Sequence, residues 1–144
     1  MEIKKVAILG AGAVGSYVIE GISGCREIRL GVIAEGERNA RLKRAGCTIN
    51  GVTYHPEVWT YQETDNIDLL IVSYGALPTA LDTIKQATSQ NTIVMSLMNG
   101  VDSEEIIGAK IGMSHILPAL IKVASHKEPD GYHFDRKSTI GIIF

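Results

Sequence analysis

Short apolar runs and segments of helical character alternate along this chain. Four runs consist almost entirely of apolar residues, which is typical of strands buried on both faces of a parallel sheet: residues 6–9, 28–33, 67–73 and 92–98. Each run is followed by a segment that we predict to be helical, over residues 14–22, 36–45, 77–87 and 102–110. This order predicts an α/β fold, with a doubly wound, mostly parallel sheet and helices on both of its faces.

Shorter β elements are predicted between and after these units. They are a hairpin over residues 47–54 that turns at Asn50-Gly51, a short strand at 58–60, a strand at 115–124, and an antiparallel pair of 132–134 with 138–144 at the edge of the sheet. The sequence has no internal repeat and no domain-scale linker. Residues 1–144 are therefore predicted to form one domain.

A glycine-rich turn follows the first predicted strand. Gly10, Gly12 and Gly15 have the spacing G-x-G-x-x-G between a strand and a helix, which is the dinucleotide-binding fingerprint of Rossmann-type folds. In that fingerprint the helix N-terminus attracts the pyrophosphate of the cofactor. We therefore predict a cofactor-binding segment made of Gly10, Ala11, Gly12, Ala13, Val14 and Gly15. The alternative is a glycine-rich turn that serves only packing.

An acidic and a basic residue follow the second predicted strand. Glu35 comes 25 positions after Gly10, where a carboxylate can accept hydrogen bonds from both hydroxyls of the adenine ribose. This favours NAD(H) as the cofactor over NADP(H). Arg38 could instead hold a 2′-phosphate, and Glu35 could also be a solvated charge at a helix N-terminus.

Two further segments follow strands whose carboxyl ends should meet at the same edge of the sheet. Ser73 ends the strand at residues 67–73 and Tyr74 and Gly75 follow it, where Tyr74 either stacks beside a nicotinamide or covers the end of the sheet. Asn99 follows the strand at residues 92–98, and its amide can both donate and accept hydrogen bonds. We predict that these residues bind the cofactor and that Asn99 also contacts the substrate.

Composition excludes several classes of function. The net charge of −2 argues against nucleic acid or an anionic membrane as a partner, and no apolar run reaches the roughly 20 residues of a membrane span. The two cysteines fit reduced thiols in a cytoplasmic protein. The four histidines lack metal-ligand spacing, so we predict no metal site, and we predict no catalytic residue within this chain.

Three segments together resemble the N-terminal domain of the ketopantoate reductase (2-dehydropantoate 2-reductase) family: residues 5–16, 68–76 and 93–106. The ending at residues 139–144 resembles the strand that closes that domain. The resemblance implies a cytoplasmic oxidoreductase that reduces ketopantoate to pantoate with a nicotinamide cofactor, in pantothenate and coenzyme A biosynthesis. Asn99 matches the family's asparagine near the nicotinamide ribose and the substrate.

This sequence departs from the family pattern in three ways. Members usually continue into a second, helical domain that supplies a catalytic lysine and groups that bind the 2-keto acid substrate. The chain ends before such a domain, so we expect a fragment that is inactive alone, and a homodimer is a further expectation. Gly75 stands where the family often has a lysine, and Glu35 stands where it often has an arginine that holds the 2′-phosphate of NADP.

Two alternatives share the same fold. One is a regulatory NAD(H)-sensing domain of a channel or transporter, which would also have an acidic residue after the second strand. The other is a different 3-hydroxyacid dehydrogenase. The Asn99-Gly100 segment and the β-rich ending favour the ketopantoate reductase family over the sensor.

Overall fold

The structure, a computed structural model, describes residues 2–73, 77–97, 102–123, 125–135 and 137–144. Its first half contains β1 (Lys5–Leu9), α1 (Ala13–Ile22), β2 (Arg29–Ile33), α2 (Gly36–Ala45), β3 (Cys47–Ile49), β4 (Val52–Tyr54), β5 (Glu57–Trp59) and β6 (Leu69–Val72). Its second half contains α3 (Leu77–Ala87), β7 (Ile93–Ser96), α4 (Ser103–Ile111), β8 (Ile116–Leu117), β9 (Leu120–Lys122), β10 (Ser125–Glu128), β11 (Gly131–Phe134) and β12 (Gly141–Ile143). None of the described helices is both long and apolar enough to span a membrane.

The main sheet has six strands in the order β5-β2-β1-β6-β7-β8. All neighbouring strands in it are parallel, so the predicted Rossmann-type sheet is confirmed. The chain starts at the centre with β1, builds outward through β2 and β5, and then returns to β6 on the other side of β1. The carboxyl ends of β1, β2 and β6 therefore lie side by side at the point where the winding reverses.

Residues of β1 alternate between two separate hydrophobic clusters. Val6 and Ile8 pack in one cluster with Val18 and Ile19 of α1, and Leu42 of α2 joins the same cluster. Ala7 and Leu9 pack in the other cluster, with side chains of α3 and α4 such as Ile84 and Ile107. Helices thus cover both faces of the sheet, as the continuous apolar runs predicted.

The strand predicted at residues 115–124 is wrong as a single element. It is divided into β8, which pairs with β7 in the main sheet, and β9, which pairs with β12 in a separate two-stranded sheet. Pro118 lies between the two strands. Proline has no N–H group to donate to a ladder, so a strand is readily interrupted there.

The predicted pairing of residues 132–134 with 138–144 is also wrong. β11 pairs with β10 as an antiparallel hairpin and with β3 as a parallel neighbour, whereas β12 pairs with β9. The hairpin turns at Pro129 and Asp130, and Gly131, the first residue of β11, has a φ of 136°. Pro-Asp-Gly is a turn signal in its own right. These strands form two further sheets rather than an antiparallel edge of the main sheet.

The predicted hairpin at residues 47–54 is confirmed. β3 and β4 are antiparallel, and the turn residues Asn50 and Gly51 both have positive φ, at 49° and 80°. Two consecutive residues with positive φ form the type of turn whose twist matches that of the flanking strands. Asn50 also links this hairpin to β11, because its side-chain Oδ1 accepts a hydrogen bond of 2.9 Å from the Phe134 N–H.

Candidate functional site

The glycine turn connects the end of β1 to the start of α1. Gly10 has a φ of 100°, a conformation that favours glycine, and it turns the chain directly after the strand. Gly12 is the N-cap of α1 in an extended conformation, and its carbonyl accepts the hydrogen bond of 2.8 Å from the Ser16 N–H. The free N–H groups of the first helical turn therefore lie beside the turn.

Gly15 and Gly12 differ in the space that surrounds them. A Cβ atom on Gly15 would overlap the carbonyl oxygen of Gly10, so only glycine allows α1 to pack this closely against the end of β1. A Cβ atom on Gly12 would meet no atom within 4 Å. The side of the turn at Gly12 is therefore open to an incoming group.

Ser73, directly after β6, holds the turn from the neighbouring strand. Its hydroxyl donates a hydrogen bond of 2.7 Å to the carbonyl of Gly10, and its N–H donates one of 3.1 Å to the carbonyl of Leu9. A residue predicted to bind the cofactor thus also positions the fingerprint.

A cavity of about 260 Å³ lies on one side of Gly10, at the ends of β1 and β2. Glu35 and Arg38 line it, together with Tyr61 and apolar residues of the strands and of α3. The carboxylate Oε1 of Glu35 accepts a hydrogen bond of 2.5 Å from the Tyr61 N–H. This bond fixes one oxygen of Glu35 at the cavity while the side chain stays exposed. Tyr61 could not be predicted from the sequence, because a backbone donor carries no side-chain signature.

A second cavity, of about 320 Å³, lies on the other side of the turn. Its described lining residues are Gly10, Ala11, Gly12, Arg38, Arg41, Leu42, Ser73, Lys127 and Tyr132. Three of these nine residues are cationic and none is acidic. Arg41, Lys127 and Tyr132 were not predicted as site residues, because α2 and the β10–β11 hairpin reach the turn only through tertiary packing.

The structure brings six of the predicted site residues to the walls of these two cavities: Gly10, Ala11, Gly12, Glu35, Arg38 and Ser73. Ala13, Val14 and Gly15 form the first turn of α1, where Val14 packs against the core. Tyr74, Gly75 and Asn99 lie outside the described residues. Binding at any of these positions stays a prediction.

Histidines are not among the described residues that line the two cavities. The Nδ1–H of His115 donates a hydrogen bond of 2.8 Å to the Thr92 carbonyl. His133 contacts Asp130 at 2.8 Å on the outer face of the β10–β11 hairpin. The hydrogen bond to Asp130 raises the pKa of His133 and lowers the pKa of Asp130. Glu128, Asp130 and His133 have ligand atoms within 4.8 Å of one another, and the two carboxylates are exposed.

Comparison with known proteins finds a family that matches most of this chain. The family Ketopantoate reductase PanE/ApbA matches residues 6–141. A 2-dehydropantoate 2-reductase from Archaeoglobus fulgidus is 31% identical over 110 residues, which are 74% of this chain and 36% of the relative. The chain therefore spans about a third of the length of that relative.

Solved structures share the fold. A 2-dehydropantoate 2-reductase from Porphyromonas gingivalis W83 superposes with a TM-score of 0.73 at 17% identity, covering 93% of this chain and 52% of that one. A D-mandelate dehydrogenase in complex with NADH superposes with a TM-score of 0.75 at 23% identity, covering 91% of this chain and 44% of that one. This chain is thus similar to about half of each of these proteins.

Proposed function

The chain belongs to the ketopantoate reductase family as its dinucleotide-binding domain, and on that basis we propose that it binds a nicotinamide dinucleotide for the reduction of a small 2-keto acid. One observation carries the binding proposal. The turn at Gly10 and Gly12 joins β1 to the N-terminus of α1, is unobstructed at Gly12, and separates two cavities with charged walls. Such a turn suits a diphosphate with a ribose on one side.

In this proposal the residues of the chain bind and orient the cofactor, whose nicotinamide supplies the hydride when bound. The N–H groups at the start of α1 face the phosphates, and Glu35 accepts hydrogen bonds from the adenine ribose. Asn99 is proposed to contact the nicotinamide ribose and the substrate, as in the family it resembles. Tyr74 and Gly75 are proposed to lie along the same strand ends.

We further propose that NAD(H) binds more tightly than NADP(H). The hydrogen bond from Tyr61 holds the charge of Glu35 at the cavity, where it would repel a 2′-phosphate. Two unit charges about 4 Å apart repel by about 4 kcal/mol at an effective dielectric constant near 20. Solvent exposure and the nearby Arg38 reduce this repulsion, so we expect NAD(H) to bind roughly tenfold more tightly than NADP(H).

The full reaction is proposed to need a second, helical domain that supplies the proton donor and the substrate-binding groups. Ketopantoate is the proposed substrate because the chain belongs to the ketopantoate reductase family. Reduction of a ketone requires stabilisation of the developing alkoxide, which a domain that only positions the hydride donor does not provide. We therefore expect the purified chain to bind NADH in calorimetric titration and not to reduce ketopantoate. Absence of NADH binding, or steady turnover of ketopantoate by this chain alone, would contradict the proposal.

The family match does not favour the alternative of a regulatory NAD(H)-sensing domain. A different 3-hydroxyacid dehydrogenase would share the fold and differ in substrate, and substrate profiling with the complete enzyme distinguishes the two. A cytoplasmic location is proposed because Cys25 and Cys47 are both free thiols. Formation of a homodimer is a further proposal, which sedimentation of the chain tests.

A further inference from the structure

Two strands far from the fingerprint in sequence carry residues to the glycine turn. The β10–β11 hairpin packs against α1, and its Phe134 is buried edge-on against Tyr17 with ring centroids 5.3 Å apart. The Asn50 N–H donates a hydrogen bond of 2.9 Å to the carbonyl of Tyr132, and Asn50 Oδ1 accepts one from the Phe134 N–H. The hairpin is therefore fixed to both α1 and the β3–β4 turn.

The register of this hairpin gives it two chemically different faces. Lys127 pairs with Tyr132, and the next pair, His126 with His133, points to the opposite side. Lys127 and Tyr132 line the 320 Å³ cavity beside Gly10 and Gly12. The Lys127 ammonium lies 5.9 Å from the centroid of the Tyr132 ring, at a distance where the ring attracts the cation and restricts its position.

Two cations of α2 also line this cavity. They are Arg38 and Arg41, which lie about one helical turn apart, and Arg38 lines the 260 Å³ cavity as well. The chain as a whole has a net charge of −2, yet none of the nine described residues lining this cavity is acidic. The open face at Gly12 and the N-terminus of α1 add their own attraction for an anion in the same place.

We propose that Lys127 and Arg41 hold the diphosphate of the bound dinucleotide against the glycine turn, an inference that rests on the proposed function. Lysine acts here as a mobile point charge and arginine as a planar donor of several hydrogen bonds, and both suit phosphate oxygens. Glu35 lies on the other side of Gly10, in the 260 Å³ cavity. The two cavities would thus receive different parts of the cofactor. The 320 Å³ cavity would receive the diphosphate, which NAD(H) and NADP(H) share, and the 260 Å³ cavity would receive the adenine ribose.

Calorimetric titration of the chain with NADH and with NADPH, at two salt concentrations, tests the assignment. The variants are Lys127→Met and Arg41→Met. The matched control is Lys85→Met on the last turn of α3, which is not among the described residues that line either cavity. Each test variant should weaken both cofactors by the same factor, roughly two- to fivefold at low salt, and reduce the salt dependence of binding. The control should bind as the unmodified chain does.

Competition provides a second readout that does not depend on the adenosine part. Inorganic pyrophosphate should displace NADH from the unmodified chain and should do so less effectively from Lys127→Met. Unchanged affinities in both variants would overturn the inference, and a loss confined to NADPH would also overturn it by assigning the cations to the 2′-phosphate. Failure of the unmodified chain to bind either nucleotide would instead overturn the proposed function itself.

Discussion

The Ser73 hydroxyl donates a hydrogen bond of 2.7 Å to the carbonyl oxygen of Gly10. This bond ties the end of β6 to the fingerprint turn, across 63 positions of sequence. The same carbonyl is the atom that a Cβ on Gly15 would overlap, and Ser73 Oγ would lie 3.3 Å from that Cβ. β1, α1 and β6 therefore meet at one backbone carbonyl with no room for another carbon.

Gly15→Ala should destabilise the chain because its methyl group must displace the Gly10 carbonyl. Overpacking of this kind typically costs about 1–3 kcal/mol of unfolding free energy. The matched control is Gly21→Ala on the same helix, where a Cβ meets no atom within 4 Å. That change should raise stability by about 0.5–1 kcal/mol, because alanine is the better helix former. Denaturant unfolding of both variants is the measurement, and equal stabilities for the two would contradict the packing described at Gly15.

Asp68 should make stability depend on pH in acid. Its Oδ2 accepts hydrogen bonds of 2.9 Å from the N–H groups of both Lys4 and Lys5, and these bonds lower the pKa of the carboxyl. Because the folded-state pKa is the lower one, the stabilisation is complete above the unfolded-state value, about 3.9, and is lost as pH falls through the folded-state pKa.

Asp68→Asn should therefore lower the unfolding free energy at pH 7 by about 1 kcal/mol, allowing for solvent screening. It should also flatten the decline in stability below about pH 4. Asp82→Asn is the control, because the Asp82 carboxylate is exposed and forms a surface ion pair of 3.3 Å with Lys110. The idea fails if both variants show the same pH profile in denaturant unfolding.

Cofactor choice should respond to Glu35 and Arg38 in opposite directions. Glu35→Gln should increase the affinity for NADPH and decrease the affinity for NADH, because it removes the charge that repels a 2′-phosphate and weakens an acceptor for the ribose hydroxyls. Arg38→Ala should reduce NADPH binding more than NADH binding. Titration with both cofactors is the measurement. A chain that already prefers NADPH, and loses that preference in Arg38→Ala, would assign the choice to Arg38.

Most of the main sheet could be predicted from the sequence because its signals are local. The apolar run before Gly10, the glycine spacing and the helical pattern after it each depend on neighbouring residues. α2 begins and ends at the predicted residues, and Gly46 follows it with a φ of 68°. The partners of β9, β11 and β12 could not be predicted in this way. β11 pairs with β3 through Tyr132 and Ile49, and no local pattern encodes contact between such distant residues.

The residues of the candidate site also fall into those that local sequence predicts and those that tertiary packing positions. Gly10, Gly12 and Glu35 were predicted because each follows a strand at a recognisable distance. The group that binds the Glu35 carboxylate is the backbone N–H of Tyr61, which no side-chain pattern predicts. Lys127 lies at the glycine turn because its hairpin is fixed by the hydrogen bond between Asn50 and Phe134. Both contributions exist only once the tertiary structure has formed.

Gly12→Val tests the central claim, that the open face of the glycine turn receives the diphosphate of a dinucleotide. Gly12 has a φ of −81°, which other residues adopt, and a Cβ there meets no atom within 4 Å, so the variant should still fold. Valine is a poorer N-cap residue than glycine, which should cost about 1 kcal/mol of stability. Its branched side chain would occupy the space that the phosphates must enter. In calorimetric titration with NADH, the unmodified chain should bind and the folded variant should lose most of its affinity. A folded Gly12→Val that binds NADH as well as the unmodified chain would contradict the account.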